Sequence, residues 1–130
     1  MKIIYVEDNP YKVADVRKVL EELGYNRTDI IIKDNLQEGL FYIKEVLHAN
    51  ESIPFILTDM RFPIIAGEGI DNNAGEKLIK RVKHYKKNIP IIVISADRLV
   101  IEEAAACICY NPSVLWENDL KDAIRKLNMQ

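Results

Sequence analysis

Five short apolar runs, rich in β-branched residues, alternate along the chain with longer segments of helical periodicity. The runs occupy positions 3–6, 30–32, 54–58, 89–94 and 107–110. Apolar residues at every position are typical of strands that are covered on both faces. Strands that alternate with helices pair in parallel through right-handed crossovers. The pattern predicts one α/β domain over residues 1–130, with helices on both faces of a five-stranded parallel sheet.

The segments between the runs carry local signals for the starts of helices. Asparagine is a favoured N-cap, and proline or glutamate in the following turn strengthens that signal. Three asparagines are in such positions: Asn9, Asn35 and Asn73. Further along, 99–106 is predicted as a short helix and 118–127 as the closing helix. These assignments complete five strand–helix units.

Composition excludes several classes of protein. The chain is 48% apolar and 29% charged, with 18 basic and 20 acidic residues, so no basic excess favours direct nucleic-acid binding. No apolar run approaches the ~18 to 20 residues of a membrane span, and the N-terminal run becomes acidic too soon for a signal peptide. Cys107 and Cys109 are spaced badly for a disulfide, which predicts a reduced, cytoplasmic protein.

Acidic and hydroxyl side chains follow three of the runs, at the carboxyl ends of the predicted strands. Glu7 and Asp8 follow the first run, Asp59 the third and Ser95 the fourth. Ligands bind at this edge of parallel sheets. Carboxylates that converge there repel one another unless a cation such as Mg²⁺ neutralises them, and a carboxylate beside the ion can attack a phosphoryl group. Each acid taken singly is equally well explained as a helix cap or a solvated loop end.

Three stretches of the sequence resemble a known family. Residues 4–9 (Ile-Tyr-Val-Glu-Asp-Asn), 56–63 (Ile-Leu-Thr-Asp-Met-Arg-Phe-Pro) and 92–96 (Ile-Val-Ile-Ser-Ala) are similar to the receiver domains of bacterial two-component response regulators, the CheY-like domains. The resemblance covers nearly the whole chain. It implies a flavodoxin-like sheet with the strand order 2-1-3-4-5.

The resemblance also implies a role for each residue of the acidic site. Asp59 is then the phosphoacceptor, Ser95 is the switch hydroxyl that contacts the phosphoryl group, and Ala96 leaves room for that group. Mg²⁺ is the implied cofactor. Its implied ligands are Glu7, Asp8, Asp59 and the backbone carbonyl of Arg61.

The chain departs from the family pattern after the fifth strand. The family has a lysine before the proline at this point, whereas this chain has Asn111 before Pro112. Asparagine donates hydrogen bonds but carries no charge, which weakens the expected contact with the phosphoryl group. The family also has an aromatic residue three positions before that lysine, and this chain has Ile108 there. The sequence shows no obvious substitute lysine, with Lys33 and Lys121 as remote alternatives.

Two segment lengths are also unusual for the family. The span from Ser95 to Asn111 is short, which predicts a truncated fourth helix in a region that contributes to the output face of receiver domains. The glycine-bearing stretch 63–75 is long and begins four residues after Asp59. It is interpreted as a mobile surface insertion, with a lid or partner-binding loop as the alternative.

Three functions remain as hypotheses. The leading one is a stand-alone receiver domain that takes a phosphoryl group from a histidine kinase or phosphotransfer protein and acts through downstream protein partners. It is a signalling domain rather than an enzyme, with slow self-dephosphorylation at most. The second is a pseudo-receiver that binds proteins independently of phosphorylation, which Asn111 favours. The third is a magnesium-dependent phosphatase or phosphotransferase with Asp59 as the nucleophile, for which Arg61 stands where a second aspartate is needed.

Overall fold

Five parallel strands form one sheet in the computed structural model, which describes residues 1–86 and 88–129. Along the chain its strands are β1 (Ile3–Val6), β2 (Ile30–Lys33), β3 (Ile56–Thr58), β6 (Ile91–Ser95) and β7 (Ala106–Cys109), while β4 and β5 form a separate hairpin described below. The sheet order is β2-β1-β3-β6-β7. Since β6 and β7 are the fourth and fifth strands of this sheet along the chain, the predicted order 2-1-3-4-5 is confirmed.

Helices cover both faces of the sheet, as the sequence predicts. They are α1 (Pro10–Glu22), α2 (Leu36–His48), α3 (Ala74–Tyr85) and α4 (Trp116–Asn128). Alternate residues of β1 contribute to two separate apolar cores: Ile3 and Tyr5 pack with α1 and α4, whereas Ile4 and Val6 pack with α2 and α3. No helix in the described part of the chain has the length and apolar character needed to cross a membrane.

Asparagine caps fix the starts of the first two helices. The Asn9 side chain accepts hydrogen bonds from two backbone N–H groups in the first turn of α1. The Asn35 side chain accepts from the Glu38 N–H at 2.9 Å and donates to the Glu38 carboxylate at 2.6 Å. Asn73 occupies the N-cap position of α3 as predicted, but its side chain makes no capping hydrogen bond.

The predicted helix over 99–106 is also wrong. The connection from β6 to β7 is irregular, and β7 already begins at Ala106. Only ten residues, 96–105, link the two strands, whereas a parallel crossover usually takes a dozen or more when it contains a helix. Leu99 and Ile101 pack on the core with the fully exposed Val100 between them. This alternation has the period of extended chain rather than that of a helix.

The glycine-bearing stretch after Asp59 contains a small antiparallel hairpin that the sequence analysis did not predict. Its strands are β4 (Phe62–Pro63) and β5 (Ile70–Asp71). The Gln37 N–H donates to the Ile64 carbonyl at 2.9 Å, which fastens the hairpin to the first turn of α2.

Candidate functional site

A pocket at the carboxyl ends of β1, β3 and β6 brings most of the predicted site residues together. It is lined by residues at or just after the ends of these three strands, by Lys12 of α1 and by Tyr110, which follows β7. The predicted residues that line it are Glu7, Asp8, Asp59, Arg61, Ser95 and Ala96. Parallel pairing places all three strand ends at one edge, which is why residues so distant in sequence converge.

Three carboxylates form an acidic cluster at the centre of this pocket. One carboxylate oxygen each from Glu7, Asp8 and Asp59 lies within 4.8 Å of the other two. Hard oxygen donors at this spacing suit Mg²⁺, which takes one or two protein carboxylates and keeps several waters. The side chains therefore fit the cation that the resemblance implies. Coordination by the Arg61 carbonyl stays a prediction.

Glu7 is the most deeply buried of the three acids, and both of its carboxylate oxygens are engaged. Oε2 accepts from the Asp8 backbone N–H at 3.1 Å and from the next N–H at 3.3 Å. Oε1 accepts from the Tyr5 hydroxyl at 3.3 Å. Burial, opposed by the Lys12 ammonium and reinforced by the Asp59 charge, raises the pKa of Glu7 to about 7.

Asp59 is held by the backbone around it. Its Oδ1 accepts from the Met60 N–H at 2.7 Å, and its carbonyl accepts from the Thr58 hydroxyl at 2.7 Å. The first turn of α3 packs against this backbone, because the Gly75 N–H donates to the Met60 carbonyl at 3.1 Å. A Cβ at position 75 would collide with the Asp59 carbonyl and lie 2.8 Å from the Met60 Cα. Only glycine allows so close an approach.

Ser95 and Ala96 form the wall of the pocket contributed by β6. Ser95 is buried, and its Oγ accepts from the Asp97 N–H at 3.2 Å. Asp97 lies at the exposed rim of the pocket, where its carboxylate pairs with the Arg61 guanidinium at 2.9 Å. Ser95 and Ala96 both line the pocket, while their roles as the switch hydroxyl and the space beside it stay predictions.

Asn111 is not among the residues that line the pocket. Its side-chain oxygen accepts from the Ser113 N–H at 2.9 Å and from the Ser113 hydroxyl at 2.7 Å, which makes a turn after β7. Its role as a site residue stays a prediction that this geometry does not support. Tyr110 lines the pocket instead, and its hydroxyl donates to Asp15 at 2.5 Å. Burial, followed by this hydrogen bond, raises the pKa of Tyr110 to about 12.

A lysine that the sequence analysis missed occupies the acidic pocket. Lys12, in the first turn of α1, is buried. Its Nζ lies 2.7 Å from Glu7 Oε1 and 3.4 Å from Asp59 Oδ1. The same ammonium donates to the Ile94 carbonyl of β6 at 2.6 Å. The expectation that no lysine lies near the acidic site is therefore wrong.

The two lysines named as remote substitutes, Lys33 and Lys121, do not line the acidic pocket. Lys33 sits over the Tyr42 ring, and Lys121 pairs with Glu22. One sequence signal does point to Lys12: it lies four residues before Val16, so helical periodicity places it on the buried stripe of α1. A charged residue in an apolar stripe indicates a buried partner.

Comparison with known proteins identifies the fold. No family model matches the sequence, and no curated protein matches it either. Among solved structures, the response regulator TrrA from Thermotoga maritima, in complex with Mg²⁺ and BeF, is 22% identical over 98% of this chain and 99% of that chain, with a TM-score of 0.71. A CheY-like receiver domain protein from Methanospirillum hungatei is 21% identical over 98% and 94% of the two chains, with a TM-score of 0.68.

A third match is a chain in the CheX–CheY–BeF₃–Mg²⁺ complex from Borrelia burgdorferi. It is 16% identical over 100% of this chain and 90% of that chain, with a TM-score of 0.73. Together with the strand order, these similarities show that the chain has the fold of response-regulator receiver domains.

Proposed function

We propose that the protein is a receiver domain of two-component signalling that accepts a phosphoryl group on Asp59. The donor is a histidine kinase or a phosphotransfer protein, and the output passes through protein partners. The observation that carries this proposal is the acidic cluster of Glu7, Asp8 and Asp59, with Ser95 in the wall of the same pocket. TrrA and the Borrelia burgdorferi complex, both solved with Mg²⁺ and beryllofluoride, have the same fold.

The proposed step uses the Asp59 carboxylate as the nucleophile. Oδ1 is held by the Met60 N–H, and in the part of the chain that the structure describes no hydrogen bond reaches Oδ2. A carboxylate oxygen attacks the phosphorus of phosphohistidine, so an O–P bond forms and the P–N bond breaks. The bonding electron pair leaves with the imidazole nitrogen of the donor protein. The product is an aspartyl phosphate.

The other residues hold and orient the acceptor and the arriving group. Glu7, Asp8 and Asp59 would hold Mg²⁺, which when bound supplies positive charge against the phosphoryl oxygens. In this proposal the Ser95 hydroxyl donates to one of these oxygens. Glu7 also fixes the turn between β1 and α1 through its two backbone hydrogen bonds, and so positions Asp8.

Incubation with acetyl phosphate and Mg²⁺, followed by intact-mass measurement, tests the proposal. The wild type is expected to gain one phosphoryl group, and Asp59→Asn is expected to gain none. Asp97→Asn is the matched control, because it removes a carboxylate at the rim of the same pocket. EDTA is expected to abolish the adduct. A wild type that gains no mass, or Asp59→Asn that gains as much, would overturn the assignment.

A pseudo-receiver remains the second candidate. The observation that favours it is the ion pair between Lys12 and the acidic cluster, because an ammonium that neutralises Glu7 and Asp59 reduces the need for a metal. In that case the wild type binds its partners equally well with and without Mg²⁺ and acetyl phosphate, and it shows no adduct.

A further inference from the structure

We infer that Lys12 is the cation that contacts the phosphoryl group on Asp59, in place of the lysine that this chain lacks after its fifth strand. The inference rests on the proposed function and adds a residue to it. Its basis is the placement of one ammonium between the phosphoacceptor, Glu7 and the strand that carries Ser95.

The three donors of the Lys12 ammonium have three acceptors. Two contacts are short, to Glu7 Oε1 at 2.7 Å and to the Ile94 carbonyl at 2.6 Å, and they anchor the group. The third, to Asp59 Oδ1, is longer at 3.4 Å. A phosphoryl group on Asp59 carries its oxygens within reach of this third donor, because they are two bonds from the carboxylate oxygen. Phosphorylation thus replaces the long contact between Lys12 and Asp59 with a charge-assisted hydrogen bond from Lys12 to a phosphoryl oxygen.

The position of Lys12 in α1 is unfavourable for a residue that only stabilises the fold. Lys12 is the third residue of the helix, where the helix dipole disfavours a cation, and the first turn has no acidic residue to offset it. Burying an ammonium adds a desolvation penalty. A residue that goes against both the helix dipole and the preference of charged groups for water is typical of a functional position.

The contacts around Lys12 lead from the pocket to other elements. The ammonium lies 5.5 Å from the centre of the Tyr110 ring, and Tyr110 contacts Asp15 on α1 and Trp116 on α4. The Ile94 carbonyl belongs to the residue before Ser95. A shift of the ammonium toward a phosphoryl oxygen therefore changes contacts to β6 and to the α1–α4 face at once.

The same ammonium competes with a divalent cation. It contacts Glu7 and Asp59, which are two of the three carboxylates that would hold Mg²⁺. A role in phosphoryl recognition therefore predicts opposite effects of neutralising Lys12: Mg²⁺ alone binds more tightly, and the phosphoryl mimic binds more weakly. A purely structural role predicts that both ligands bind more weakly.

The test compares Lys12→Gln with Lys18→Gln, which removes an exposed lysine from the same helix. Mg²⁺ alone is titrated first, followed by beryllofluoride at saturating Mg²⁺. For Lys12→Gln we expect Mg²⁺ to bind about threefold more tightly or better, because the competing charge is gone. Beryllofluoride is expected to bind about tenfold more weakly or worse, as for a lost charge-assisted hydrogen bond. Lys18→Gln is expected to match the wild type in both titrations.

A measurement on the unaltered chain covers the case in which Lys12→Gln does not fold. The side-chain Cε resonance of Lys12 in the Mg²⁺ form is expected to shift when beryllofluoride is added, while that of Lys18 does not.

The outcomes separate this inference from the proposed function. A wild type that binds beryllofluoride, with Lys12→Gln binding it equally well or losing both ligands together, overturns the role of Lys12 alone. An unchanged Lys12 resonance in a wild type that binds the mimic does the same. A wild type that binds no beryllofluoride and gains no adduct removes the proposed function, and the role of Lys12 with it.

Discussion

Two ion pairs lie about the same pocket, and their surroundings differ sharply. In the inner pair, the Lys12 and Glu7 side chains are 6% and 1% exposed, and in the outer pair Arg61 and Asp97 are 61% and 57% exposed. The N–O distances are similar, at 2.7 Å and 2.9 Å. An exposed pair is screened by water and contributes little, whereas removing one partner of a buried pair leaves an uncompensated charge. Burial, more than distance, therefore sets what each pair does.

The strongest test of this difference replaces the cation of each pair with methionine and compares the losses of stability. In metal-free buffer, Lys12→Met is expected to lower the free energy of unfolding by about 3 kcal/mol, because it leaves the buried Glu7 carboxyl and the Ile94 carbonyl without their shared donor. Arg61→Met is expected to lower it by about 1 kcal/mol or less. Urea unfolding followed by circular dichroism measures both. Equal losses in the two variants would show that the inner pair is not effectively desolvated.

A second test extends the comparison from charges to backbone packing. Gly75→Ala is expected to lower the free energy of unfolding by about 2 kcal/mol, because overpacking typically costs about 1 to 3 kcal/mol and the opposing atoms of Asp59 and Met60 are backbone or tightly packed. Gly69→Ala, in the hairpin loop, is the matched control: a Cβ there meets nothing within 4 Å.

Gly69→Ala is expected to stay within about 0.5 kcal/mol of the wild type. Gly75→Ala is also expected to weaken Mg²⁺ binding, since the clash displaces the Asp59 backbone. A stable Gly75→Ala with wild-type Mg²⁺ affinity would mean that α3 moves away without disturbing the site.

The features that sequence predicts well are local ones. Asn9 and Asn35 cap helices as expected because a cap depends on the three residues that follow it. The apolar runs predict the sheet because strands covered on both faces need no polar alternation. The convergence of Glu7, Asp8 and Asp59 then follows from topology alone, since parallel strands bring their carboxyl ends to one edge.

The features that sequence misses depend on tertiary contacts. The Lys12 ammonium meets the carbonyl of Ile94, 82 positions away, and nothing local to either residue indicates that contact. The segment 99–106 contains good helix formers, but the short crossover and the core contacts of Leu99 and Ile101 decide its conformation. The side-chain bond at Asn73 is missing because ψ there is 16° rather than the extended value of Asn9 and Asn35, in a backbone whose N–H donates to the Asp71 side chain at the end of the hairpin.

A third ion pair, between Lys77 and Asp71, is also partly exposed and provides a reference for the outer pair. Asp71 accepts from the Lys77 ammonium at 2.7 Å and from the Asn73 N–H at 2.8 Å, and these hydrogen bonds lower the pKa of Asp71 from its usual value. A lowered pKa in the folded state means that the contribution to stability is present above the usual aspartate pKa. That contribution is lost as the pH falls through the lowered value.

Lys77→Met is therefore expected to raise the pKa of Asp71 toward its usual value, as measured by NMR titration of the Asp71 side chain. Its effect on unfolding is expected at neutral pH and to vanish in acid. Because the Lys77 and Asp71 side chains are 51% and 26% exposed, far more than Lys12 and Glu7, this effect is expected to fall well below that of Lys12→Met. A Lys77→Met effect as large as that of Lys12→Met would show that exposure does not separate these pairs, and the contrast between the inner and outer pairs would then need another cause.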